Sequence, residues 1–397
     1  MLKGKNIILG VTGGIAVYKA ADVASKMAQA GANVTVVMTR NAREFVTPMT
    51  FEALTGNKVV TEMFGPEAAS GVAHINLADE ADLIAIVPAT ANIIAKIAHG
   101  LADDMLTSIV LASKAPVVIS PAMHNNMYTN PVTQANMSIL KKRGFTIIPA
   151  VHGRLASGAL GYGRLPETAV VIGTIEMTLG QTGDLTGKRV IVTAGGTQEP
   201  IDPVRFISNR SSGKMGYAVA EAARDRGAQV TLITAPTAFA DPVGINTVKI
   251  KSVVQLRDEV VQATKKADVL IMAAAGADFI PKTTAVQKIK KSDAGLVLEL
   301  VKAPDILTEI KDGKFIKVGF KAETQNLLDN AREKLYKTNL DLIVANDVTK
   351  EGSGFGTDTN EVTIISKDGK PEILPLMTKR AVADRILDRV VKLLDNK

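Results

Sequence analysis

The chain has no cysteine and no tryptophan. The missing cysteine excludes disulfides, thiolate metal sites and a cysteine nucleophile. It leaves the compartment open, with the cytosol as the default expectation. Aromatic residues make up only 4% of the 397 residues, and no nucleic-acid recognition motif is visible, so no nucleic-acid partner is expected. Neither sign of charge dominates. The 47 basic and 40 acidic side chains give a net charge of +7, spread along the chain, which anionic small substrates suffice to explain. No apolar run reaches membrane-spanning length, and the chain enters a strand-like run without a basic leader-type start. A cytoplasmic protein without a membrane partner is the expectation.

What the sequence does contain is a repetition. Gly4-Lys5-Asn6-Ile7-Ile8-Leu9-Gly10-Val11-Thr12-Gly13-Gly14 is echoed by Gly187-Lys188-Arg189-Val190-Ile191-Val192-Thr193-Ala194-Gly195-Gly196. Gly31-Ala32-Asn33-Val34-Thr35-Val36-Val37 answers to Gly227-Ala228-Gln229-Val230-Thr231-Leu232-Ile233, and Ala81-Asp82-Leu83-Ile84 answers to Ala267-Asp268-Val269-Leu270. Three strand seeds in the same order predict two tandem doubly wound α/β domains with parallel sheets. Residues 180–184 read as a short glycine-rich linker. The expected domains are 1–181 and 182–397.

Each domain has a glycine turn where a phosphate can sit on a helix N-terminus. In the first, the spacing is not G-x-G-x-x-G. Thr39 and Arg40 stand at the tip of the second strand, where a dinucleotide fold places an acid. That argues against NAD and suits a ligand with one phosphate, such as FMN. His74 precedes the third strand. Pro88-Ala89-Thr90-Ala91-Asn92 closes that strand at its carboxyl end, where open α/β sheets bind ligands. Pro121-Ala122-Met123-His124-Asn125-Asn126-Met127 sets a polar cluster between methionines, and residues 153–167 read as a glycine-rich flap.

The second turn is longer. Gly14 to Gly31 is 17 residues, but Gly196 to Gly227 is 31. The insertion holds Arg205, Asn209, Arg210, Ser211, Ser212, Gly213 and Lys214, which offer cations, hydroxyls and open N–H groups to an anion. It is not a Walker loop, because Met215 follows Lys214 and the upstream glycine is missing. The small residues from Ala273 to Ala277 let a flat ring approach the backbone, and Asp278 can hold a cation. Lys288, Lys302, Lys321 and Lys334, near strand ends, fit a nucleoside triphosphate with Mg2+.

Two resemblances rest on these residues. T-G-G-I-A, A-H-I, P-A-T-A-N, P-A-M-x-x-x-M and G-R-L-x-x-G-x-x-G-x-G-R resemble the flavin-dependent phosphopantothenoylcysteine decarboxylases, a family of flavodoxin-like fold. The resemblance implies FMN on Gly13, Gly14, Thr39, Pro88, Thr90 and Asn92, with His74 as catalytic base. His124 stands where the family has Asn, and Ser157 where it has the Cys that donates a proton. Tyr162, His152 or water are then the other proton sources, and a first domain that binds FMN without decarboxylating is the second reading.

G-G-T-x-E-P-I-D-P-V-R-x-I-S-N-x-S-S-G-K-M-G, A-A-x-A-D, K-I-K-K, P-D-I, V-G-F-x-A-E-T and L-D-L-I-x-A-N-D resemble phosphopantothenate–cysteine ligase. Together the two cover nearly the whole chain, as in the bacterial bifunctional proteins of coenzyme A synthesis. The second implies that CTP activates 4'-phosphopantothenate as an acyl-cytidylate, which the cysteine amine then attacks. Asn209 would hold the acyl intermediate and Lys288 would stabilise cytidylation. Arg205, Asn209, Ser212 and Lys214 would bind substrate. Ala273, Ala274, Asp278, Lys288, Pro304, Asp305, Ile306, Leu307, Phe320, Lys334 and Thr338 would meet CTP, and Asp278 its Mg2+. Thr338 stands where the family commonly has a second lysine, with Lys337 one position early. Gly276 replaces a usual Val. A homo-oligomer is implied for each half.

Overall fold

A computed structural model describes residues 1–63, 72–291, 296–367 and 369–396. The chain divides into two compact units, Met1–Gly180 and Gln181–Lys397.

The first unit runs β1 (Asn6–Val11), α1 (Val17–Gln29), β2 (Asn33–Met38), α2 (Pro48–Thr55), α3 (Ala73–Glu80), β3 (Leu83–Ala89), α4 (Ala91–His99), α5 (Met105–Ala112), β4 (Val117–Pro121), α6 (Asn125–Tyr128), α7 (Pro131–Lys142), β5 (Thr146–Ile147), β6 (Val151–Arg154), β7 (Leu160–Arg164) and α8 (Thr168–Leu179). The sheet order is β2-β1-β3-β4-β5, all parallel. This is the flavodoxin-like order, with the switch of direction between β1 and β3. Every residue of β3 is buried, because helices cover both faces of a parallel sheet. Alternate residues feed two cores. Ile7, Leu9, Leu83 and Ala85 pack with Val17, Ala20 and Val171 on one face, while Ile8, Ile84 and Ile86 pack with Ile93, Leu106 and Leu140 on the other. The residues expected to form a flap fold as the antiparallel pair β6–β7.

The second unit runs β8 (Arg189–Ala194), β9 (Gln198–Pro200), β10 (Phe206–Ser208), α9 (Lys214–Arg224), β11 (Gln229–Thr234), β12 (Asn246–Lys249), α10 (Val253–Thr264), β13 (Val269–Met272), β14 (Phe279–Pro281), β15 (Leu300–Lys302), α11 (Ile306–Glu309), β16 (Ile316–Glu323), α12 (Leu327–Lys337), β17 (Leu342–Asp347), β18 (Thr359–Ser366), β19 (Glu372–Thr378) and α13 (Lys379–Asp395). Its main sheet is ordered β12-β11-β8-β13-β16-β17-β18-β19. The pairing is parallel through β17, and β18 and β19 close the edge antiparallel. The trio β11-β8-β13 reproduces β2-β1-β3, so the three echoed seeds occupy the same three places in both sheets. The insertion after Gly196 holds the hairpin β9–β10, where the composition suggested only a basic loop. Among the described residues, no helix is long and apolar enough to cross a membrane.

Candidate functional site

In the first unit the strand ends at the switch point are tied together by a side chain. Thr12, 2% exposed, donates its hydroxyl to the Pro88 carbonyl at 2.7 Å and accepts the Thr90 N–H at 3.0 Å. Thr90 in turn caps α4, accepting the Ile93 N–H. The turn that follows β1 is packed so closely that a Cβ on Gly13 would lie 2.5 Å from Cβ of Asn41. A cavity of about 740 Å³ opens above these strand ends, within the roughly 300–1,000 Å³ of small-molecule sites.

Its walls bring together Gly13, Gly14, Thr90, His124 and Ser157, which lie far apart in sequence. Met123, Met127, Leu155 and Leu165 make one part apolar, and Lys19, Arg154 and Arg164 add cations. Lys19 and Arg164 are both held by Glu167, at 3.2 and 2.8 Å. The β6–β7 hairpin is fixed to the cavity rim. The Tyr162 N–H donates to the Asn125 side chain at 2.9 Å, and the Met123 N–H to the Gly163 carbonyl at 3.0 Å. Gly163 has φ +128, and a Cβ there would overlap the Met123 carbonyl oxygen. His124 caps α6. Its Nδ1 accepts the Asn126 N–H at 3.3 Å, so the neutral ring carries its proton on Nε2.

Other expected residues stand off these walls. Thr39 follows β2 and donates its N–H to the Val11 carbonyl. Pro88 is buried, with its carbonyl committed to Thr12. Asn92 is exposed in the first turn of α4, and His74 is half-buried on α3. His152 and Tyr162, the alternative proton sources, meet edge-on with ring centroids 5.2 Å apart, and neither lines the cavity.

The residues present fit a flavin mononucleotide. The glycine turn and Thr90 leave room for a phosphate, and the methionine and leucine walls suit a flat ring.

In the second unit two cavities meet over the carboxyl ends of β13, β16 and β17. One, of about 680 Å³, is lined by Ala274, Asp278, Pro304, Asp305, Ile306, Leu307, Phe320, Lys321, Lys334, Lys337 and Thr338. The other, of about 130 Å³, is lined by Ser211, Ser212, Gly213, Lys214, Ala273 and Lys379 at the N-terminus of α9. Ala274, Ala275, Phe320 and Ala322 belong to both. The open N–H groups and dipole of an eleven-residue helix favour an anion in the smaller cavity.

The larger cavity carries three lysines, Lys321, Lys334 and Lys337, among four carboxylates, Asp278, Asp305, Glu323 and Glu333, and Lys321 is paired with Glu323 at 3.0 Å. Burial pushes the Lys334 ammonium below the usual lysine range, and neighbouring Lys321 adds to this, while Asp278, Asp305 and Glu323 act the other way. Lys334 donates to the Phe320 carbonyl at 3.2 Å. Thr338 is buried, and its hydroxyl donates back to the Lys334 carbonyl. The second cation on that turn of α12, besides Lys334, is therefore Lys337. Asp305 caps α11 by accepting from Thr308.

Asn209 donates to the carbonyls of Ala275 and Gly276 at 3.2 and 3.1 Å, beside both cavities. Arg205 differs from the open cation its sequence context suggested. Its guanidinium is bound to Asp202, with Nε 3.0 Å from Oδ2, and to the Ile289 carbonyl at 2.8 Å. Lys288 is exposed and lies off the cavity walls. Among the described residues, no three His, Cys, Asp or Glu side chains cluster to hold a metal. Four carboxylates line the larger cavity, Asp278 among them, and one carboxylate with substrate phosphates is the usual way of binding Mg2+.

The reading from sequence had no signal for Lys379. At the start of α13, 6% exposed, its ammonium donates to the carbonyls of Gly354, Thr357 and Thr359 and to the Thr357 hydroxyl. Burial and Lys214 push it below the usual range. A lysine opening a helix reads as solvent-facing, and only the folded loop turns it inward.

Residues 1–180 match a family model described as Flavoprotein, and residues 185–394 match the DNA/pantothenate metabolism flavoprotein C-terminal domain. The Coenzyme A biosynthesis bifunctional protein CoaBC of Bacillus subtilis (strain 168) is 48% identical, the match covering 99% of this chain and 98% of that one. The protein of the same name from Vibrio vulnificus (strain YJ016) is 42% identical, covering 99% of both. The crystal structure of the C-terminal domain of such a protein covers 54% of this chain and 100% of its own, at 40% identity and a TM-score of 0.47. The chain belongs to the family of bifunctional coenzyme A biosynthesis proteins, with a flavoprotein domain followed by a DNA/pantothenate metabolism flavoprotein C-terminal domain.

Proposed function

We propose that this bifunctional enzyme of coenzyme A biosynthesis works in the order ligase, then decarboxylase. Residues 182–397 join cysteine to 4'-phosphopantothenate with CTP, and residues 1–181 decarboxylate the product with FMN. The carrying observation is that two lysine-bearing cavities of the second unit share Ala274, Ala275, Phe320 and Ala322 as a common wall. A phosphorylated acid in one can bring its carboxylate to a nucleotide in the other.

In the first step that carboxylate attacks the α-phosphorus of CTP. A C–O–P bond forms, the bond to diphosphate breaks, and an acyl-cytidylate results. Lys321, Lys334 and Lys337 spread the triphosphate charge as it shifts, and Lys288 stabilises the transfer. Asp278 would hold Mg2+, which would neutralise part of the phosphate charge. Ser212, Lys214 and the first N–H groups of α9 hold the phosphate of phosphopantothenate. In the second step the cysteine amine attacks the acyl carbon, loses a proton, and expels CMP. Asn209 keeps the acyl group oriented.

In the first unit Gly13, Gly14 and Thr90 hold the flavin phosphate, with Thr39, Pro88 and Asn92 shaping the strand ends behind it. Bound FMN supplies reversible two-electron oxidation of the substrate thiol, which makes loss of CO2 feasible. His74 serves as base. The Nε2–H of His124 and the Ser157 hydroxyl line the cavity as donors. Exposed Ile15, Tyr18 and Met127 on the cavity walls support a homo-oligomer, and a cytoplasmic location suits the substrates.

The test is a single incubation of the yellow protein with 4'-phosphopantothenate, cysteine and CTP. The expected products are CMP, diphosphate, CO2 and 4'-phosphopantetheine. Diphosphate release that does not depend on the acid substrate, or no CO2 from flavin-loaded protein, refutes the corresponding half.

A further inference from the structure

The segment from Lys282 to Lys291 carries four lysines yet has no helix or strand. Among the hydrogen bonds that hold it, four run to one place, the turn of the β9–β10 hairpin. The Thr284 hydroxyl donates to the Pro200 carbonyl and the Ala285 N–H to the Ile201 carbonyl, both at 3.0 Å. The Ile289 N–H donates to Asp202 Oδ2 at 3.2 Å, and the Ile289 carbonyl accepts from Arg205 at 2.8 Å.

Asp202 is the centre of this arrangement. Its side chain is fully buried, although the turn around it is exposed. It accepts the N–H groups of Val204 and Arg205, both at 2.8 Å, besides that of Ile289 and the Arg205 guanidinium. Arg205 above all, then these amides, hold its carboxyl well below the usual carboxylate range. The hairpin that bears Asp202 continues into Asn209, which is fixed to the carbonyls of Ala275 and Gly276.

We propose that Asp202 is a positioning residue of the ligase reaction, which through Arg205 and the Ile289 peptide fixes Lys288 relative to Asn209. The proposal rests on the reading of Lys288 and Asn209 as ligase residues. The clasp grips Ile289 from both its N–H and its C=O, so the backbone between Lys288 and Lys290 cannot rotate freely. A flexible lysine would have to be ordered in each turnover, and a misplacement of about 1 Å can cost roughly 100-fold in rate. Asp202 touches no reactant; it acts through the segment it holds.

The experiment uses the full chain with Asp202→Asn, and Arg205→Lys as a second variant. Asparagine turns an amide donor toward the donors that the carboxylate accepts. Lysine keeps the charge and loses the fork that reaches both Asp202 and Ile289. Two readouts are taken. One is trypsin cleavage after Lys288, Lys290 and Lys291, followed by mass spectrometry; the other is the single-turnover rate of diphosphate release from CTP and 4'-phosphopantothenate. Both variants should be cut about tenfold faster at these lysines. Diphosphate release should slow by roughly 10- to 100-fold, with the KM for CTP changed by less than about twofold.

Cleavage at the parental rate overturns the clasp. Faster cleavage with unchanged diphosphate release also overturns the proposal, because Asp202 is then only structural. Lys288→Gln separates the two readings. If that variant releases diphosphate at full rate, the assignment of Lys288 fails, and the positioning role falls with it even where the cleavage result holds.

Discussion

The Thr12 brace permits a quantitative test. Thr12→Val is nearly isosteric, so it removes the hydroxyl without opening a cavity. Two bonds are lost, to the Pro88 carbonyl at 2.7 Å and from the Thr90 N–H at 3.0 Å. Pro88 is buried and Thr90 half-buried, so the carbonyl is left without water and the N–H can regain part of its hydration. An unsatisfied buried group costs about 1–3 kcal/mol, and the partly wet amide costs less, giving roughly 2–4 kcal/mol for the pair. A unit of this size loses about 2–4 °C per kcal/mol, so the expected fall in Tm is roughly 4–16 °C. The assay is release of flavin fluorescence on heating, which reports on the first unit without assuming that the whole chain unfolds in one step. Thr12→Ser keeps both bonds and should lose no more than about half as much. A valine variant that melts within about 1 °C of the parent would refute the idea that this hydroxyl joins the strand ends.

Three further outcomes are expected. Gly163→Ala sets a Cβ against the Met123 carbonyl at a φ of +128. Strain and overlap together should cost roughly 2–4 kcal/mol, read as a lower Tm and weaker retention of flavin; a fully yellow variant with the parental Tm contradicts the packing argument. CTP affinity should fall as pH rises through the lowered Lys334 value, because deprotonation removes a cation from the phosphate side. Titration calorimetry across alkaline pH should show that fall, and Lys334→Met should bind more weakly and lose that pH response. The Asp184–Arg226 pair gives the opposite sign. Arg226 holds the Asp184 carboxyl below its ordinary value, so its contribution is present above the unfolded carboxylate range and is lost as pH falls through the folded one. Asp184→Asn should therefore destabilise the second unit at neutral pH, and its deficit relative to the parent should shrink as the parent loses the pair in acid, as thermal scans from pH 7 down to about 3 would reveal.

Much of the architecture was legible because buried parallel strands announce themselves as short apolar runs broken by glycine or proline. Ile7 to Leu9 stops at Gly10, Leu83 to Val87 at Pro88, and the run from Val190 reaches Gly195; each lies in the interior of its sheet. The β9–β10 hairpin was not legible. Its strands have three residues each, too few for periodicity, and its anchor is one buried carboxylate in a stretch otherwise rich in exposed cations. The same holds for Lys379, whose four oxygen partners come from a loop some twenty residues away. Site residues fared by the kind of contact they make. Gly13 and Gly14 form a glycine turn, Ser157 adjoins Gly158 and Thr90 caps α4, and all four converge on one cavity. Thr39, Pro88 and Asn92 adjoin the same strand ends, but their own bonds or exposure keep them off its walls.

The two units solve one structural problem twice and then diverge. Wherever a parallel sheet reverses direction, the two central strands part and their ends leave polar backbone groups without a ladder partner. In the first unit Thr12 occupies that gap. In the second Thr193, fully buried, accepts the Ala274 N–H at 3.0 Å, and Thr197 accepts that of Ala277, also at 3.0 Å. A side-chain hydroxyl thus closes the crevice floor in both, which leaves the loops above free to differ. Over β1 the turn is tight and a single glycine-walled cavity results. Over β8 the 31-residue span from Gly196 to Gly227 has room for a hairpin that reaches Ile289 as well as the helix N-terminus of α9. The trio β11-β8-β13 thus keeps the arrangement of β2-β1-β3, and what differs at the gap is a longer excursion to which one buried aspartate gives a fixed shape.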